Sequence, residues 1–312
     1  MKKYKIAIVG LGSIGRRHIL NIFEVLNTKK IAFSIDVIRR NKNSNVDSDL
    51  QNYISNIYSE KDNIDNDYDV IFITNPTFLH FSSIKKYAKH TKNMFIEKPI
   101  FEKTEYDISD LDLYEGGTYY IACPLRYTRV LQYVKKNIDL SEVYSARVIS
   151  SSYLPNWRPN TDYRLSYSAN QIMGGGVSLD LIHEWDYIKY LFGKPEHIYN
   201  FRGKFSSLDI SSEDISIYIA RYRDKLVELH LDYFGEKDIR QLQLFTCNDT
   251  IEVDFLNNTI KYLSKGKVIE FDDDRNSYQL REIENFFNIV EGFAINENTI
   301  DDAYETVKIA ID

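Results

Sequence analysis

A glycine-rich turn close to the start of the chain has the spacing that a bound diphosphate requires. The turn follows the apolar run at positions 6–9 and precedes a stretch in which apolar residues recur at helical spacing. The first glycine permits a tight turn, the second lets the backbone approach a diphosphate, and the third lets helix and strand pack closely. We therefore predict nucleotide binding through backbone N–H groups at the start of the helix. The residues concerned are Gly10, Gly12, Ser13, Ile14 and Gly15.

Two further groups of side chains could move a proton. Lys98 lies in the segment Glu97-Lys98-Pro99 after an apolar run, and Asp180 and His183 follow three consecutive glycines. When a hydride leaves a carbinol, the carbinol oxygen becomes acidic, so a nearby lysine would stabilise the alkoxide-like transition state. A neutral imidazole can accept the same hydroxyl proton. Because residues three apart share one face of a helix, we expect Asp180 and His183 to point together into the reaction site.

The elements that would position these residues fall into two parts. Strand and helix patterns alternate up to about residue 121, which predicts right-handed crossovers and a doubly wound parallel sheet. Later strand-like segments rich in Ile, Val, Tyr and Phe predict a mostly antiparallel sheet, with one helix over 176–192. We predict an α/β fold, with a Rossmann domain over 1–121 and an α+β domain for substrate binding and oligomerisation over 122–312. The cleft between them is the expected active site.

The segments 10–18, 97–99 and 174–183 together resemble the Gfo/Idh/MocA family of NAD(P)-dependent sugar oxidoreductases, and the order and spacing match over nearly the whole chain. The resemblance implies that Lys98 lies beside the nicotinamide and the reacting sugar carbon. It also implies that His183 is the general acid or base, and that Asp180 orients His183 or the substrate.

One feature of this chain departs from the commoner family pattern. In that pattern the histidine follows the aspartate by four residues, whereas here it follows by three and Glu184 holds the fourth position. Alignment from the C-terminal side keeps His183 paired with Asp186, so we favour His183 over Glu184 as the catalytic residue. The alternative is that His183 caps or packs the helix and that Asp180 is a favourable charge at the helix N-terminus.

The end of the second predicted strand bears on the choice of cofactor. An NAD enzyme places an acidic residue about 20 residues after the glycine turn, and Asp36 lies near that distance. The strand pattern continues to Arg39 and Arg40, however, and arginines at a strand end suit a 2′-phosphate. We therefore favour NADP(H), with NAD(H) as the alternative. By resemblance the loop after the fourth strand and the Lys98 motif also border the cofactor, through Thr74, Asn75, Pro76, His80, Glu97 and Lys98.

Aromatic and basic residues ahead of the three glycines are predicted substrate contacts. Their rings could stack on a sugar, and their guanidinium groups suit a phosphate or a carboxylate. Packing is an equally good explanation for the aromatic members, since the chain holds 24 Tyr and 17 Phe. These residues are Trp157, Arg158, Tyr163 and Arg164, with Arg126 added by resemblance, and Asp180 and His183 would contact the substrate as well.

Composition limits the classes of partner. The 312 residues are 43% hydrophobic and 27% charged, which is typical of a soluble globular protein. A net charge of −7 disfavours nucleic acid as a partner, and no run reaches the roughly 20 apolar residues that would span a membrane. The two cysteines show neither zinc-binding nor redox spacing, so we predict no metal and a cytoplasmic location. By family analogy we expect a homodimer or homotetramer.

These observations predict an oxidoreductase that transfers a hydride between nicotinamide and a secondary hydroxyl or ketone of a sugar, amino sugar or nucleotide sugar. One alternative is a catalytically inactive sensor or scaffold that keeps the dinucleotide site. A second is another dinucleotide enzyme, such as a dehydrogenase of an amino-acid pathway. The latter would share the glycine turn but not the helix after the three glycines.

Overall fold

A computed structural model describes residues 3–43, 45–62, 64 and 67–312 of the chain. It divides into two compact units. Unit 1 comprises Met1–Cys123 and Gln279–Glu305, and unit 2 comprises Pro124–Tyr278 and Thr306–Asp312. The sequence pattern instead predicts a second domain over the whole of 122–312.

The return of 279–305 to unit 1 has a packing cause. The ring of Phe286 lies 5.6 Å from that of Phe72 and 5.3 Å from that of Phe95, measured between centroids. All three side chains are fully buried, so this late segment completes the core of unit 1. Its apolar spacing alone indicates a helix but not the core in which that helix is buried.

Unit 1 is built on a six-stranded parallel sheet with the strand order β3-β2-β1-β4-β5-β6. The central strands are uninterrupted apolar runs because both faces of a parallel sheet are covered. Their carboxyl ends meet at one edge, where ligands of doubly wound sheets bind. The strands are β1 (Lys3–Val9), β2 (Ala32–Arg39), β3 (Asn56–Ser59), β4 (Val70–Ile73), β5 (Asn93–Ile96) and β6 (Thr118–Ile121). The helices α1 (Ser13–Thr28) and α2 (His80–Tyr87) lie entirely within this unit.

Unit 2 contains an eight-stranded sheet with the order β14-β13-β12-β11-β7-β10-β9-β8. Every neighbouring pair is antiparallel except β7 and β10. The predicted fold class, a Rossmann domain followed by a mostly antiparallel α+β domain, is therefore confirmed. The strands are β7 (Val143–Tyr153), β8 (His197–Gly203), β9 (Ile215–Arg221), β10 (Leu226–Asp232), β11 (Phe234–Thr246), β12 (Thr250–Asp254), β13 (Thr259–Tyr262) and β14 (Lys267–Glu270).

The helix predicted over 176–192 is two helices. A short helix α4 ends at Asp180, and α5 begins at His183. Between them Leu181 has φ −98° and ψ 28°, outside the helical region, so the regular hydrogen-bond ladder is interrupted. The remaining helices complete the set: α3 (Arg129–Asn137), α4 (Val177–Asp180), α5 (His183–Phe192), α6 (Arg275–Val290) and α7 (Ile300–Ile311). Within the described ranges, none of the helices has the length and apolar character needed to cross a membrane.

Candidate active site

The glycine turn follows β1 and leads into α1, and its three glycines differ in what surrounds them. A Cβ atom built on Gly10, whose φ is +98°, would lie 2.8 Å from the backbone of Asn75. A Cβ on Gly15 would lie 2.4 Å from the carbonyl oxygen of Gly10. A Cβ on Gly12, the residue before α1, would meet nothing within 4 Å. Space for a ligand is thus open at Gly12, while Gly10 lets the turn pack against the loop after β4 and Gly15 lets α1 pack against the turn.

The loop after β4 supports this turn with buried side chains. The Thr74 hydroxyl donates to the carbonyl oxygen of Gly10 at 2.7 Å, and the Asn75 amide donates to the Ser83 hydroxyl at 2.7 Å. Pro76 is exposed just beyond them. Because the side chains of Thr74 and Asn75 are used within the protein, this loop would meet a cofactor with its backbone. Ser13 and Ile14 are the first two residues of α1.

The segment Glu97–Pro99 follows β5, and its peptide bond between Lys98 and Pro99 is cis. The Glu97 Oε1 atom lies 2.6 Å from Nε2 of His18, a buried residue of α1, and Glu97 Oε2 accepts from the backbone N–H of Lys98 at 3.2 Å. Burial raises the pKa of Glu97, but the hydrogen bond from His18 and the charges of His18 and Lys98 outweigh it, so the net pKa is lowered. Glu97 is therefore a carboxylate tied to the backbone of Lys98.

His80 is 1% exposed, and both of its ring nitrogens face backbone carbonyl oxygens. Nε2 lies 2.9 Å from the oxygen of Asn75, and Nδ1 lies 3.0 Å from that of Pro99 and 3.1 Å from that of Ile100. Burial lowers the pKa of this imidazole. The sequence analysis placed His80 at the cofactor; in the structure its ring nitrogens connect two loops and are not turned outward.

The end of β2 separates the acidic and basic candidates for cofactor selection. Asp36 lies three residues before the strand ends and is 2% exposed. Its carboxylate accepts from Asn56 Nδ2 at 2.9 Å and from the hydroxyl of Tyr68 at 3.0 Å. Arg39 is the last residue of β2 and Arg40 is exposed after it. The carboxylate is thus used within the sheet, and the arginines stand at the edge.

The three glycines of unit 2 are required by the path of the backbone. Gly174 has φ +78° and Gly176 has φ +144°. A Cβ on Gly175 would lie 2.1 Å from the carbonyl oxygen of Tyr167. The turn then leads into α4, where Glu213 Oε1 accepts from the backbone N–H of Ser178 at 3.1 Å. Glycine is therefore required at positions 174 and 176 by the backbone conformation, and at position 175 by the lack of space for a Cβ atom.

Asp180 ends α4 and is 6% exposed. The Tyr233 hydroxyl donates to Asp180 Oδ2 at 2.5 Å, and Asp180 raises the pKa of Tyr167 through its charge and a side-chain hydrogen bond. His183 is the half-buried first residue of α5. Because α4 and α5 are separate, the argument that Asp180 and His183 share a helical face is wrong, although the two residues stay close in sequence.

The structure also bears on the choice between His183 and Glu184. The Glu184 side chain is fully buried, and its Oε1 atom lies 2.8 Å from Nε of Arg240 on β11. A carboxylate used in such a buried pair is a poor candidate for exchanging protons with a substrate. His183 remains the better candidate because it keeps an exposed fraction.

The predicted substrate loop brings two of its members toward Asp180. Trp157 packs edge-to-face on Tyr233 with centroids 5.3 Å apart, and the guanidinium of Arg158 lies 5.6 Å from the ring centroid of Tyr167. Tyr233 and Tyr167 are the tyrosines that interact with Asp180. A small recess adjoins these side chains; it is lined by Leu154, Pro155, Trp157, Arg158, Thr161, Tyr163, Ser166 and Ser168.

The guanidinium groups of Arg164 and Arg126 pair with carboxylates, whereas that of Arg158 lies near an aromatic ring. Arg164 is held by Asp162, with Nη2 2.7 Å from Oδ2. Arg126 is 6% exposed and forms a two-pronged pair with Asp186 of α5, at 2.9 Å from Nε and 2.7 Å from Nη2. The prediction that Arg126 contacts substrate conflicts with this burial. Its guanidinium anchors α5, the helix that begins with His183.

Sequence reasoning missed several residues that hold the candidate groups in place. His18 stands three residues after the glycine turn, a position that could have drawn notice next to the motif. Tyr167, Tyr233 and Glu213 gave no such signal, because their partners lie far away in sequence. Across the described residues, no cluster of three or more His, Cys, Asp or Glu side chains could hold a metal ion.

Residues 4–111 match the model of the Gfo/Idh/MocA family, an oxidoreductase family with an NAD-binding Rossmann fold. This match, within the first 111 residues, confirms the resemblance to the family that was seen in the sequence. Among curated relatives it is 28% identical over 196 residues to the uncharacterized oxidoreductase YrbE of Bacillus subtilis, an alignment that covers 62% of this chain and 54% of that protein. The chain thus spans about half the length of that relative.

Solved structures with low sequence identity show the same fold over the whole chain. Levoglucosan dehydrogenase in complex with NADH and levoglucosan has a TM-score of 0.83 at 16% identity, covering 99% of this chain and 95% of its own. The WlbA dehydrogenase of Bordetella pertussis, in complex with NADH and UDP-GlcNAcA, has a TM-score of 0.77 at 17% identity, with coverage of 99% and 95%. At such identities the likeness establishes the fold alone.

Proposed function

We propose that this protein is a nicotinamide-dependent oxidoreductase that interconverts a secondary hydroxyl and a ketone on a sugar, amino sugar or nucleotide-linked sugar. The observation that carries the proposal is the place of Lys98. It follows β5 at the carboxyl edge of the same parallel sheet whose strand β1 ends at the open glycine turn. A cation fixed near the expected nicotinamide would stabilise the oxyanion that forms as a hydride leaves.

Each remaining group has a role in this proposal. The glycine turn and the backbone of 74–76 hold the dinucleotide, whose nicotinamide, when bound, accepts or donates the hydride. His183 exchanges the hydroxyl proton, and Asp180 orients His183 or the substrate. The two tyrosines that bind Asp180 support this role, because they fix its carboxylate.

We propose NADP(H) as the preferred cofactor, with NAD(H) as the alternative. The support is the contrast at the end of β2, where the Asp36 carboxylate is occupied by Asn56 and Tyr68. An acid that is buried and paired is not available to a ribose hydroxyl. Arg39 and Arg40, at the edge, offer the charge that a 2′-phosphate needs.

The proposed substrate contacts in unit 2 are Trp157, Arg158 and Tyr163. Among the described residues no carboxylate pairs with Arg158, whereas Arg164 is already held by Asp162. An aromatic wall beside a guanidinium suits a sugar that carries a phosphate or a carboxylate. Nucleotide sugars are therefore included in the proposed substrate class.

The rival proposal is a sensor or scaffold that binds dinucleotide without turnover. To separate the two, NADPH and NADH are titrated by fluorescence, and a panel including levoglucosan and UDP-GlcNAc is screened for absorbance change at the nicotinamide band. Turnover of a panel member supports the enzyme. Binding with no turnover across the panel supports the sensor.

Point variants test the proposed catalytic roles of Lys98 and His183. Lys98→Ala and His183→Ala should each lower turnover by roughly 100- to 10,000-fold, the usual range for a lost acid or base. Their affinity for NADPH should stay within about threefold of wild type, since neither residue holds the diphosphate. Lys103→Ala, an exposed lysine in the following loop, is the matched control. Full activity in either of the first two variants contradicts the assignment.

We also propose a homodimer formed by the outer face of the eight-stranded sheet. Tyr199 and Phe201 are 66% and 75% exposed there, on the same face as the Arg147–Glu228 ion pair. A surface that carries apolar groups and both signs of charge can pair with a second copy of itself. Tyr199→Lys should then reduce the mass measured by light scattering; an unchanged mass contradicts this interface.

A cytoplasmic location is proposed from Cys123 and Cys247, which are both free thiols.

A further inference from the structure

Two buried histidines contact the turn that carries Lys98. One contacts the residue that precedes Lys98, and the other contacts the residues that follow it. His18 belongs to α1, which starts in the glycine turn, and His80 is the first residue of α2, after the loop that follows β4. Each is 1% exposed. Because burying a polar ring is costly unless its nitrogens find partners, the atoms that these nitrogens face are informative.

His18 acts on the residue before Lys98. Its Nε2 atom lies 2.6 Å from Oε1 of Glu97, while the other carboxylate oxygen accepts from the backbone N–H of Lys98 at 3.2 Å. One carboxylate therefore connects α1 to the backbone of the lysine. The His18 ring is held by aromatic neighbours on β4 and β5, 5.6 Å from Phe72 and 4.9 Å from Phe95 between centroids. Its direction is thus fixed by packing.

His80 acts on the residues after Lys98. Its Nδ1 atom lies within 3.0 Å of the oxygen of Pro99 and 3.1 Å of that of Ile100, and Nε2 lies 2.9 Å from the oxygen of Asn75. Asn75 is the residue whose backbone closes against Gly10. The imidazole therefore lies between the Lys98 turn and the wall of the glycine turn, and in its neutral form its one N–H donates to one of the two.

We propose that His18, Glu97 and His80 are positioning residues for Lys98, which connect the placement of its ammonium group to the two loops that hold the dinucleotide. The inference rests on the proposed function of Lys98. A small misplacement of a reacting group lowers the reaction rate by a large factor. A turn whose backbone is held both before and after Lys98 would keep the ammonium group in its reactive position. Both histidines lie on helices that follow the loops that would contact the cofactor, so a bound dinucleotide and a correctly placed lysine would favour each other.

The test measures Lys98 directly and needs no substrate. The rate of Lys98 acetylation by acetic anhydride is followed by peptide mass spectrometry with and without saturating NADPH, with exposed Lys103 as the internal reference. In wild type the nicotinamide should shield Lys98 and slow its acetylation several-fold. Glu97→Gln and His18→Leu should lose most of this shielding when each variant is measured at an NADPH concentration that saturates it.

Two further variants separate positioning from folding. His18→Gln keeps an N–H that can reach Glu97, so it should recover part of the shielding lost in His18→Leu. Glu282→Gln is the matched control: this buried carboxylate of unit 1 binds the Tyr120 hydroxyl at 3.0 Å and the backbone N–H of Cys123 at 2.6 Å, and its loss should leave the shielding intact.

The outcomes are distinguishable. Shielding in wild type that persists in Glu97→Gln and His18→Leu overturns the positioning inference and leaves the proposed function standing. Absence of shielding in wild type, in protein that binds NADPH, means that Lys98 does not face the nicotinamide; it overturns the proposed role of Lys98 and this inference with it. Equal loss in Glu282→Gln would show a general effect of removing a buried charge, and it also overturns the inference.

Discussion

Each unit has a glycine-rich segment ahead of a helix, and the two segments use glycine for different purposes. In unit 1 a Cβ on Gly12 would meet nothing within 4 Å, so the space there is open to a ligand. In unit 2 a Cβ on Gly175 would meet three carbonyl oxygens within 2.8 Å. The comparison teaches that a run of glycines indicates either space for a ligand or the lack of space for a side chain.

The largest effect is expected at the crowded position of unit 2. Gly175→Ala places a methyl group 2.1 Å from the carbonyl oxygen of Tyr167, a backbone atom that cannot move without its turn. We expect a loss of roughly 1–3 kcal/mol or more in the free energy of unfolding, as for an overpacked core. Urea denaturation measures it. A midpoint equal to that of wild type would mean that the turn is adaptable and that the comparison fails.

Gly15→Ala is the corresponding change in unit 1. Its Cβ would lie 2.4 Å from the oxygen of Gly10 and 2.8 Å from the Thr74 hydroxyl. Because the hydroxyl can rotate but the backbone oxygen cannot, we expect a loss of about 1–2 kcal/mol and weaker NADPH binding. Denaturation and fluorescence titration of the same sample measure both. Wild-type values in both assays would contradict a packing role for Gly15.

The contrast between the buried Asp36 carboxylate and the two arginines at the end of β2 gives the third prediction. Arg39→Ala with Arg40→Ala should reduce the preference for NADPH over NADH by about 10- to 100-fold, the value of one or two charge-assisted hydrogen bonds. Asp36→Asn is the control; it should leave the preference unchanged, because that carboxylate binds Asn56 and Tyr68. An unchanged preference in the arginine variant defeats the NADP(H) proposal.

The smallest expected change in stability is at the open glycine. Gly12→Ala adds a methyl group in free space at φ −88°, so the free energy of unfolding should change by less than about 0.5 kcal/mol. The affinity for NADPH should nevertheless fall by about tenfold or more, since the methyl group occupies the approach of the diphosphate. An alanine variant that binds NADPH normally would mean that the open space at Gly12 is not the cofactor site.

Structural features that depend on residues close together in the chain could be predicted from the sequence alone. The sequence led to the parallel sheet of unit 1, the mostly antiparallel sheet of unit 2 and the resemblance to the Gfo/Idh/MocA family, which the structure and the comparisons confirm. Strand β7 (Val143–Tyr153) is one of the later segments whose strand-like character was predicted. These successes share a cause: strand periodicity and the tight turn at Gly10 depend on atoms a few residues apart.

The predictions that the structure contradicts concern residues whose conformation or contacts depend on partners far away in the sequence. Arg126 is basic and near a motif, but Asp186, 60 residues later, binds its guanidinium. The helix after the three glycines is interrupted at Leu181, although its residue spacing suits one helix. Residues 279–305 return to unit 1 because aromatic rings from three segments form one core.

The sequence by itself thus determined the fold class, the position of the glycine turn and the choice of Lys98, Asp180 and His183 as candidate groups. Only the tertiary structure decided which charges are already paired, as at Asp36, Arg126 and Glu184, and what holds the candidates in place. The physical reason is that backbone preference is a local property. Pairing and burial depend on which distant side chains the folded chain brings within a few ångströms, and 79 residues separate His18 from Glu97.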